Sequence, residues 1–193
     1  RRFAEQEIKP VAARMDETKE HPAALCAKMG ELGLMGVAIP EAYGGAGMDY
    51  ISYVLAVAEI SKACASTGVI MSVNNSLYCF PINTFGSHEQ KKTFMAPVAS
   101  GKAIGCYALT EAGAGSDPAG MRTTAMLDGD SWVINGEKKF ITNGNVSHYC
   151  VLAAVTDREQ GYKGISSFIM DLKNTPGFSV GRVEAMRGIN ASG

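Results

Sequence analysis

Residues 99–110, ASGKAIGCYALT, separate two parts of the chain that have different hydrophobic patterns. Before Gly101, apolar residues recur every three or four positions, the spacing of one face of an α-helix. After Lys102, short runs rich in β-branched and aromatic residues alternate with turn residues, which is typical of strands. Because helices come first and strands follow without alternation, we predict an α+β fold with antiparallel strands: an all-helical N-terminal domain over residues 1–102 and a β-domain over 103–193.

Helix boundaries in the first part are marked by capping residues. Apolar spacing predicts a helix within residues 21–33 that ends at Gly33. Asp49 is expected to cap a second helix over 50–64, whose residues are apolar around most of its circumference, so we place it in the interior. The sequence SHEQ, Ser87 to Gln90, matches a capping box at the start of a further helix.

The second part contains seven short runs with strand character. Two turn signals, DGD after Leu127 and NG after Ile134, predict hairpins between successive runs. The predicted strands are AIGCYALT, TTAML, SWVI, KKFIT, YCVLAAVT, ISSFIMDL and FSVGRVE.

Composition excludes several classes of function. The 193 residues are 46% hydrophobic and 19% charged with a net charge of −1, and no Lys/Arg cluster is present, so we expect no nucleic-acid partner. No apolar run reaches the ~18–20 residues of a membrane span. Five scattered cysteines without metal-ligand spacing indicate free thiols in a reducing compartment and no metal site, and the three histidines are isolated.

The stretch ALTEAGAGSDPAG, residues 108–120, has more glycines and polar residues than a plain turn needs. It is not a dinucleotide fingerprint, because Pro118 stands at the third glycine, and it is not a P-loop, because Gly-Lys-Ser/Thr is missing. Two interpretations remain. Its amides and the hydroxyls of Thr110 and Ser116 converge on an anion or a polar ring edge such as that of a flavin, or Ser116 and Asp117 make local turn bonds in a long hairpin loop.

A second candidate is KKFITNG, residues 138–144. A strand here would place Phe140 and Thr142 on one face, where an aromatic plane and a hydroxyl could stack on a flavin ring and bond to its N5. The alternative is an ordinary half-buried strand.

Three stretches, CYALTEAGAGSDPAG (106–120), GDSWVINGEKKFITNG (129–144) and GISSFIMDLKNTPGFSVGRVEAMRGINAS (164–192), closely resemble the acyl-CoA dehydrogenases. CASTGVIMSVNNSLY (64–78) resembles the short-chain, butyryl-CoA members in particular. The resemblance implies a helical N-terminal domain, a barrel-like middle β-domain and a C-terminal helical bundle, with FAD bound between them. This chain covers about the first half of a typical member, so the C-terminal bundle is expected to be absent from it.

The resemblance also implies site residues. Leu109 and Thr110 would lie at the N1/O2 edge of the flavin, Thr142 near its N5, and Ser116 against both flavin and the CoA side of the substrate. Many family members have Trp at the position of Phe140. The implied cofactor-binding residues are Tyr107, Ala108, Leu109, Thr110, Gly115, Ser116, Phe140, Ile141 and Thr142.

The reaction implied is FAD-dependent α,β-dehydrogenation of a short-chain acyl-CoA to a trans-2-enoyl-CoA, with electrons passed to electron-transferring flavoprotein. The catalytic base is expected beyond Gly193, so residues 1–193 alone are expected to be inactive. The resemblance implies a homotetramer. The expected location is the bacterial cytoplasm, with the mitochondrial matrix as the second choice. The alternatives are an acyl-CoA oxidase or other flavoenzyme on the same scaffold, and a non-catalytic binding or assembly module.

Overall fold

The computed structural model describes residues 1–184, 186 and 188–193, with helices in the first hundred residues and strands after them. The helices are α1 (Ala12–Thr18), α2 (Ala23–Glu31), α3 (Tyr50–Ala63), α4 (Ala65–Ser72), α5 (Phe80–Phe85), α6 (His88–Gln90) and α7 (Ala96–Ala99). Wider helical turns precede α1 (Ala4–Ile8), join α4 to α5 (Val73–Cys79) and join α6 to α7 (Lys91–Met95). No helix among these residues combines the length and apolar character needed to cross a membrane.

The predicted capping residues act as expected. The Asp49 carboxylate accepts a hydrogen bond from the Ser52 amide at 2.7 Å, so α3 begins at Tyr50. Ser87 and Gln90 form the complete capping box, in which each side chain accepts from the backbone N–H of the other residue. Gly33 adopts a left-handed φ of 72° just after α2. These local predictions are confirmed.

The interior position predicted for α3 is wrong. Ile60 is buried, whereas Ile51 and Leu55 are 72% and 62% exposed. One face of the helix packs on α4 and on the Ala4–Ile8 turn. Within the described part of the chain the other face is open, and apolarity around a helix does not say which residues cover it.

The strands are β1 (Gly105–Ala108), β2 (Thr124–Asp128), β3 (Ser131–Asn135), β4 (Tyr149–Val155) and β5 (Ile165–Asp171). They form one open sheet with β4 at its centre. β5 pairs antiparallel along the length of β4, while β1 and β2 pair parallel to β4 at its other edge. The sheet is therefore mixed and not closed, which corrects the predicted antiparallel, barrel-like arrangement.

The connections between the strands explain the difference. Parallel strands are usually joined by a helical crossover, whereas β1 reaches its parallel partner β4 through a loop and the β2–β3 hairpin. The DGD hairpin is confirmed, with Gly129 at φ 59° between β2 and β3. The second predicted hairpin is wrong, because residues 136–148, which follow β3, contain no strand. The runs KKFIT and FSVGRVE are not strands either.

The helices meet the sheet at the start of β1. The Tyr78 ring is fully buried and lies so close to Gly105 that a Cβ at residue 105 would overlap it. The Tyr78 hydroxyl donates to the Phe94 carbonyl at 3.1 Å, which fixes the ring. Glycine at 105 therefore lets the sheet approach the helical part closely.

We expect Gly105→Ala to lower the free energy of unfolding by about 1–3 kcal/mol, the usual effect of overpacking a core. The measurement is urea denaturation followed by far-UV circular dichroism. Gly181→Ala is the matched control, because no atom lies within 4 Å of the position its Cβ would take. Equal midpoints for the two variants would contradict the close approach.

Candidate functional site

The structure brings the two predicted segments side by side. The Lys139 amide donates to the Thr110 carbonyl at 2.8 Å, and Lys138 Nζ donates to the Leu109 carbonyl at 2.9 Å. The end of β1 and the segment after β3 therefore form one surface, although 27 or more residues separate them in sequence. This is the arrangement that a ligand touching both segments requires.

The glycine-rich loop leaves β1 in a defined shape. The backbones of Glu111 and Ala114 exchange two hydrogen bonds, of 3.0 and 3.2 Å, which turn the chain. Asp117 then accepts from the Ala119 amide at 3.1 Å and begins the short turn Pro118–Gly120. The local turn bonding considered for Asp117 is thus present, and it leaves Gly113 and Gly115 with no atom near their missing Cβ positions.

The nine predicted cofactor-binding residues differ in accessibility. Ala108 is buried in a cluster with Cys106, Cys150 and Leu172, whereas Gly115, Ser116 and Phe140 are exposed. The remaining five are half-buried: Tyr107, Leu109, Thr110, Ile141 and Thr142. Ile141 packs against Ala108 and its neighbours Cys106 and Cys150, so it faces the sheet and anchors its segment there.

Phe140 does not lie on a strand, which corrects the predicted strand face shared with Thr142. Its φ is +57°, in the left-handed region, and its side chain is 65% exposed. A bulky residue in that region is strained, and such residues persist only where surrounding contacts hold them. The contacts are close by: Ile141 packs on the sheet, and the buried Asn143 amide donates to the Ser192 carbonyl at 2.8 Å. These neighbouring contacts hold Phe140 in the left-handed conformation with its ring exposed.

A buried ion pair lies beneath this surface. Lys138 Nζ is 2.8 Å from Glu111 Oε1, and the side chains are 7% and 8% exposed. Glu111 also accepts from the amides of Arg122 at 2.6 Å and Thr123 at 3.0 Å. Burial alone would raise the pKa of Glu111, but the hydrogen bonds from Lys138 and the two amides more than offset it and lower the pKa to about 2.

Sequence reasoning missed Lys138 and Asn143 as structural residues of the site. Lys138 stands in a run whose residue types predict a strand, and a lysine in such a run is usually on the solvent side. Asn143 stands in TNGN, a turn signal, and it is in fact completely buried, with its Nδ2 donating to the Gly105 carbonyl at 3.3 Å. The sequence offers one signal, the adjacent pair Lys138–Lys139, but this pair does not show that Glu111 is the partner of Lys138 in an ion pair.

All five cysteines are free. Cys106 and Cys150 are paired in register across the parallel strands β1 and β4, in a buried cluster with Ala108 and Leu172. Within residues 1–184, 186 and 188–193, no group of three or more His, Cys, Asp or Glu side chains is placed to hold a metal ion.

Comparison with protein families gives two adjoining matches. Residues 1–102 match the acyl-CoA dehydrogenase N-terminal domain, and residues 106–193 match the acyl-CoA dehydrogenase middle domain. Ala185 and Arg187, which belong to the last stretch quoted from the sequence, lie outside the described residues.

Curated relatives match over the whole chain. The mitochondrial short-chain specific acyl-CoA dehydrogenase of Bos taurus is 53% identical over 192 residues, covering 100% of this chain and 46% of that protein. The short-chain specific acyl-CoA dehydrogenase of Clostridium acetobutylicum is 50% identical, covering 100% of this chain and 50% of its own length. The chain thus spans about half the length of these relatives.

Solved structures share the fold. A chain in the structure of the electron transferring flavoprotein of Acidaminococcus fermentans superposes with a TM-score of 0.95 at 44% identity, covering 98% of this chain and 50% of that one. Butyryl-CoA dehydrogenase from Megasphaera elsdenii gives 0.93 at 36%, with coverage of 98% and 50%. A glutaryl-CoA dehydrogenase from Mycobacterium smegmatis in complex with FADH2 gives 0.91 at 37%, with coverage of 99% and 48%.

Proposed function

The chain belongs to the acyl-CoA dehydrogenase family, and from that premise we propose that the complete protein is an FAD-dependent dehydrogenase of short-chain acyl-CoA thioesters. The observation that carries the proposal is the contact between the 109–110 backbone and residues 138–139, which joins the two predicted flavin segments in one surface. The short-chain preference rests on relatives at 50% and 53% identity and on the butyryl-CoA dehydrogenase neighbour.

The residues present fit a flavin. Gly115 offers open backbone with no atom within 4 Å of its missing Cβ, so a planar ring or a phosphate can approach it closely. Phe140 presents an aromatic ring that is 65% exposed. Its backbone is in the strained left-handed region, and such residues cluster at functional sites. FAD when bound supplies a hydride acceptor, and a glutaryl-CoA dehydrogenase neighbour contains FADH2.

We propose roles for the chain's own residues from the resemblance of the two segments to the family's motifs. Leu109 and Thr110 would bind the N1/O2 edge, and Phe140 to Thr142 would contact the ring, with the Thr142 hydroxyl near N5. Tyr107, Ala108, Gly115 and Ser116 complete the cofactor side, and Ser116 also faces the substrate. Donors fixed beforehand at the N1/O2 edge stabilise the negative charge that develops there during reduction.

We propose that the base that removes the α-proton lies outside residues 1–193. Glu111 is a carboxylate of the glycine-rich loop, but it is buried and accepts from Lys138 and two amides. Its pKa of about 2 makes it a weak proton acceptor, whereas an effective base has a pKa near the working pH.

The remaining assignments also concern the complete protein. We propose that residues 1–102 and 103–193 are two domains, that the protein is a homotetramer, and that electron-transferring flavoprotein takes its electrons. The last point is supported by the neighbour in the Acidaminococcus fermentans structure. Five free cysteines support a reducing location, the bacterial cytoplasm or the mitochondrial matrix.

The test is anaerobic titration of the purified complete protein with butyryl-CoA, octanoyl-CoA and butyryl-pantetheine. Flavin absorbance is monitored, the products are identified, and kcat/KM is measured in a steady-state assay. We expect butyryl-CoA to bleach the flavin, to yield crotonyl-CoA, and to react with a higher kcat/KM than octanoyl-CoA. Admission of air separates the alternative acyl-CoA oxidase, which would form peroxide at the rate of turnover. Protein that binds no flavin would contradict the proposal, and so would flavin that butyryl-CoA leaves oxidised.

We expect Thr142→Ala to slow flavin reduction by butyryl-CoA about 5- to 150-fold while FAD remains bound. One lost hydrogen bond at N5 weakens the transition state by roughly 1–3 kcal/mol. Stopped-flow absorbance measures the rate. The matched control is Thr175→Ala, which removes a threonine hydroxyl from the loop after β5. Reduction of Thr142→Ala at the wild-type rate would remove Thr142 from the site.

A further inference from the structure

We infer that Glu111 and Lys138 form a clamp: a positioning device that holds the 109–110 backbone and the 140–142 segment at the spacing one ligand needs to contact both. This inference rests on the proposed function for the identity of the ligand. The two side chains are positioning residues, because both are buried beneath the surface, with exposures of only 7% and 8%.

The hydrogen bonds of the clamp join three parts of the site. Lys138 Nζ donates to the Leu109 carbonyl at 2.9 Å and to Glu111 Oε1 at 2.8 Å, and lies 3.8 Å from Met121 Sδ. Glu111 accepts hydrogen bonds from the backbone amides of Arg122 and Thr123, just after the glycine-rich loop. The start of the loop, its end and the 138 segment are thereby tied to a single pair of charges.

Stability alone does not account for such a pair. Two charges that are removed from water lose hydration energy about as large as the energy of their attraction, and apolar residues of similar volume often stabilise a core as well or better. An apolar pair, however, makes no directional hydrogen bonds and cannot fix the backbone segments around it. Each polar group here is used: the ammonium bonds to a carbonyl and a carboxylate, and both carboxylate oxygens accept from fixed partners.

The strained residue next to the clamp supports the same conclusion. Phe140 at φ +57° comes two positions after Lys138, and the intervening Lys139 amide bonds to Thr110. A left-handed conformation of a bulky residue relaxes unless its neighbours are held. With Lys138 fixed to Leu109 and Ile141 packed on the sheet, both sides of Phe140 are held. Loss of the clamp should therefore release the ring from its exposed position.

The experiment compares Lys138→Met, the double variant Glu111→Gln/Lys138→Met, and Met35→Ala in the complete protein. Met35 is fully buried in the helical core and serves as the control for a loss of stability without a loss of the clamp. Three quantities are measured: thermal stability, the FAD dissociation constant by fluorescence, and amide hydrogen exchange without added FAD.

The clamp predicts a pattern that a structural role does not. Lys138→Met and the double variant both bind FAD roughly 10- to 100-fold more weakly, the equivalent of one hydrogen bond to a charged group. The double variant regains thermal stability, since no unpaired charge is left buried, but not affinity. Met35→Ala loses stability and keeps its FAD affinity. Exchange at the amides of Lys139, Arg122 and Thr123 rises at least tenfold in both clamp variants.

Two results would overturn the clamp. One is FAD affinity that falls in proportion to thermal stability in all variants, and the other is a double variant that regains both. Wild-type protein that takes up no flavin would instead contradict the proposed function. In that case unchanged exchange at Lys139, Arg122 and Thr123 would still overturn the clamp, and accelerated exchange would support it.

Discussion

Replacing Asn74 with alanine should lower the free energy of unfolding by about 4 kcal/mol or more, because several buried polar groups lose their partners at once. Asn74 is completely buried in the Val73–Cys79 turn. Its Nδ2 donates to the Met35 carbonyl at 2.8 Å and the Val98 carbonyl at 3.2 Å, and its Oδ1 accepts from the Gly105 amide at 3.3 Å. One amide side chain thus joins two helical elements to the first strand.

The measurement is urea denaturation of Asn74→Ala, with Asn174→Ala as the matched control. Asn174 is exposed and bonds to Asp171 within one turn, so its replacement should change stability by less than about 0.5 kcal/mol. A helix start or turn is the usual place for asparagine, and its presence inside a helical stretch calls for such bonds. Similar midpoints for the two variants would show that the bonds to Met35, Val98 and Gly105 add nothing.

The stability contributed by Glu111 should disappear on acidification. Its pKa is lowered in the folded protein from an ordinary value near 4.5 to about 2. A carboxyl with a depressed folded-state pKa contributes its full stabilisation above the unfolded-state value and loses it as pH falls through the folded-state value. We therefore expect the free energy of unfolding to fall by about 3 kcal/mol between about pH 5 and pH 2 from this one group.

Glu111→Gln isolates this contribution. The difference in unfolding free energy between wild type and Glu111→Gln should be largest above pH 5 and should narrow by about 3 kcal/mol towards pH 2. Glu159→Gln makes the same chemical change at an exposed position and is the matched control. A Glu111→Gln difference that is independent of pH would mean that Glu111 is not held ionised by Lys138.

Local features of the fold could be predicted from the sequence because their causes are local. Asp49 and the Ser87–Gln90 box act within three residues, and the DGD turn needs only a glycine that tolerates φ 59°. The parallel pairing of β1 with β4 joins Gly105 to Tyr149 across the loop and the hairpin. No local pattern encodes a partner that distant, and the antiparallel sheet was predicted in its place.

The candidate site shows the same division. Residue types alone identify the glycine-rich loop and residues 138–144 as candidate segments. The family resemblance implies in addition that both contact one ligand. Phe140 was assigned to a strand because β-branched and aromatic neighbours favour one, but the bonds of Lys138 and Lys139 to the 109–110 backbone override that preference. Burial of Glu111 and Lys138 depends on their being partners, which neither residue reveals alone.

The most direct test of the central claim is an experimental structure of the complete protein with FAD, in which the distance from Thr142 Oγ1 to flavin N5 is measured. We predict a hydrogen-bond distance of about 2.7–3.2 Å, with Thr110 at the N1/O2 edge and Phe140 in contact with the ring. A flavin that lies away from residues 107–116 and 138–142, or that touches only one of the two segments, would contradict the account.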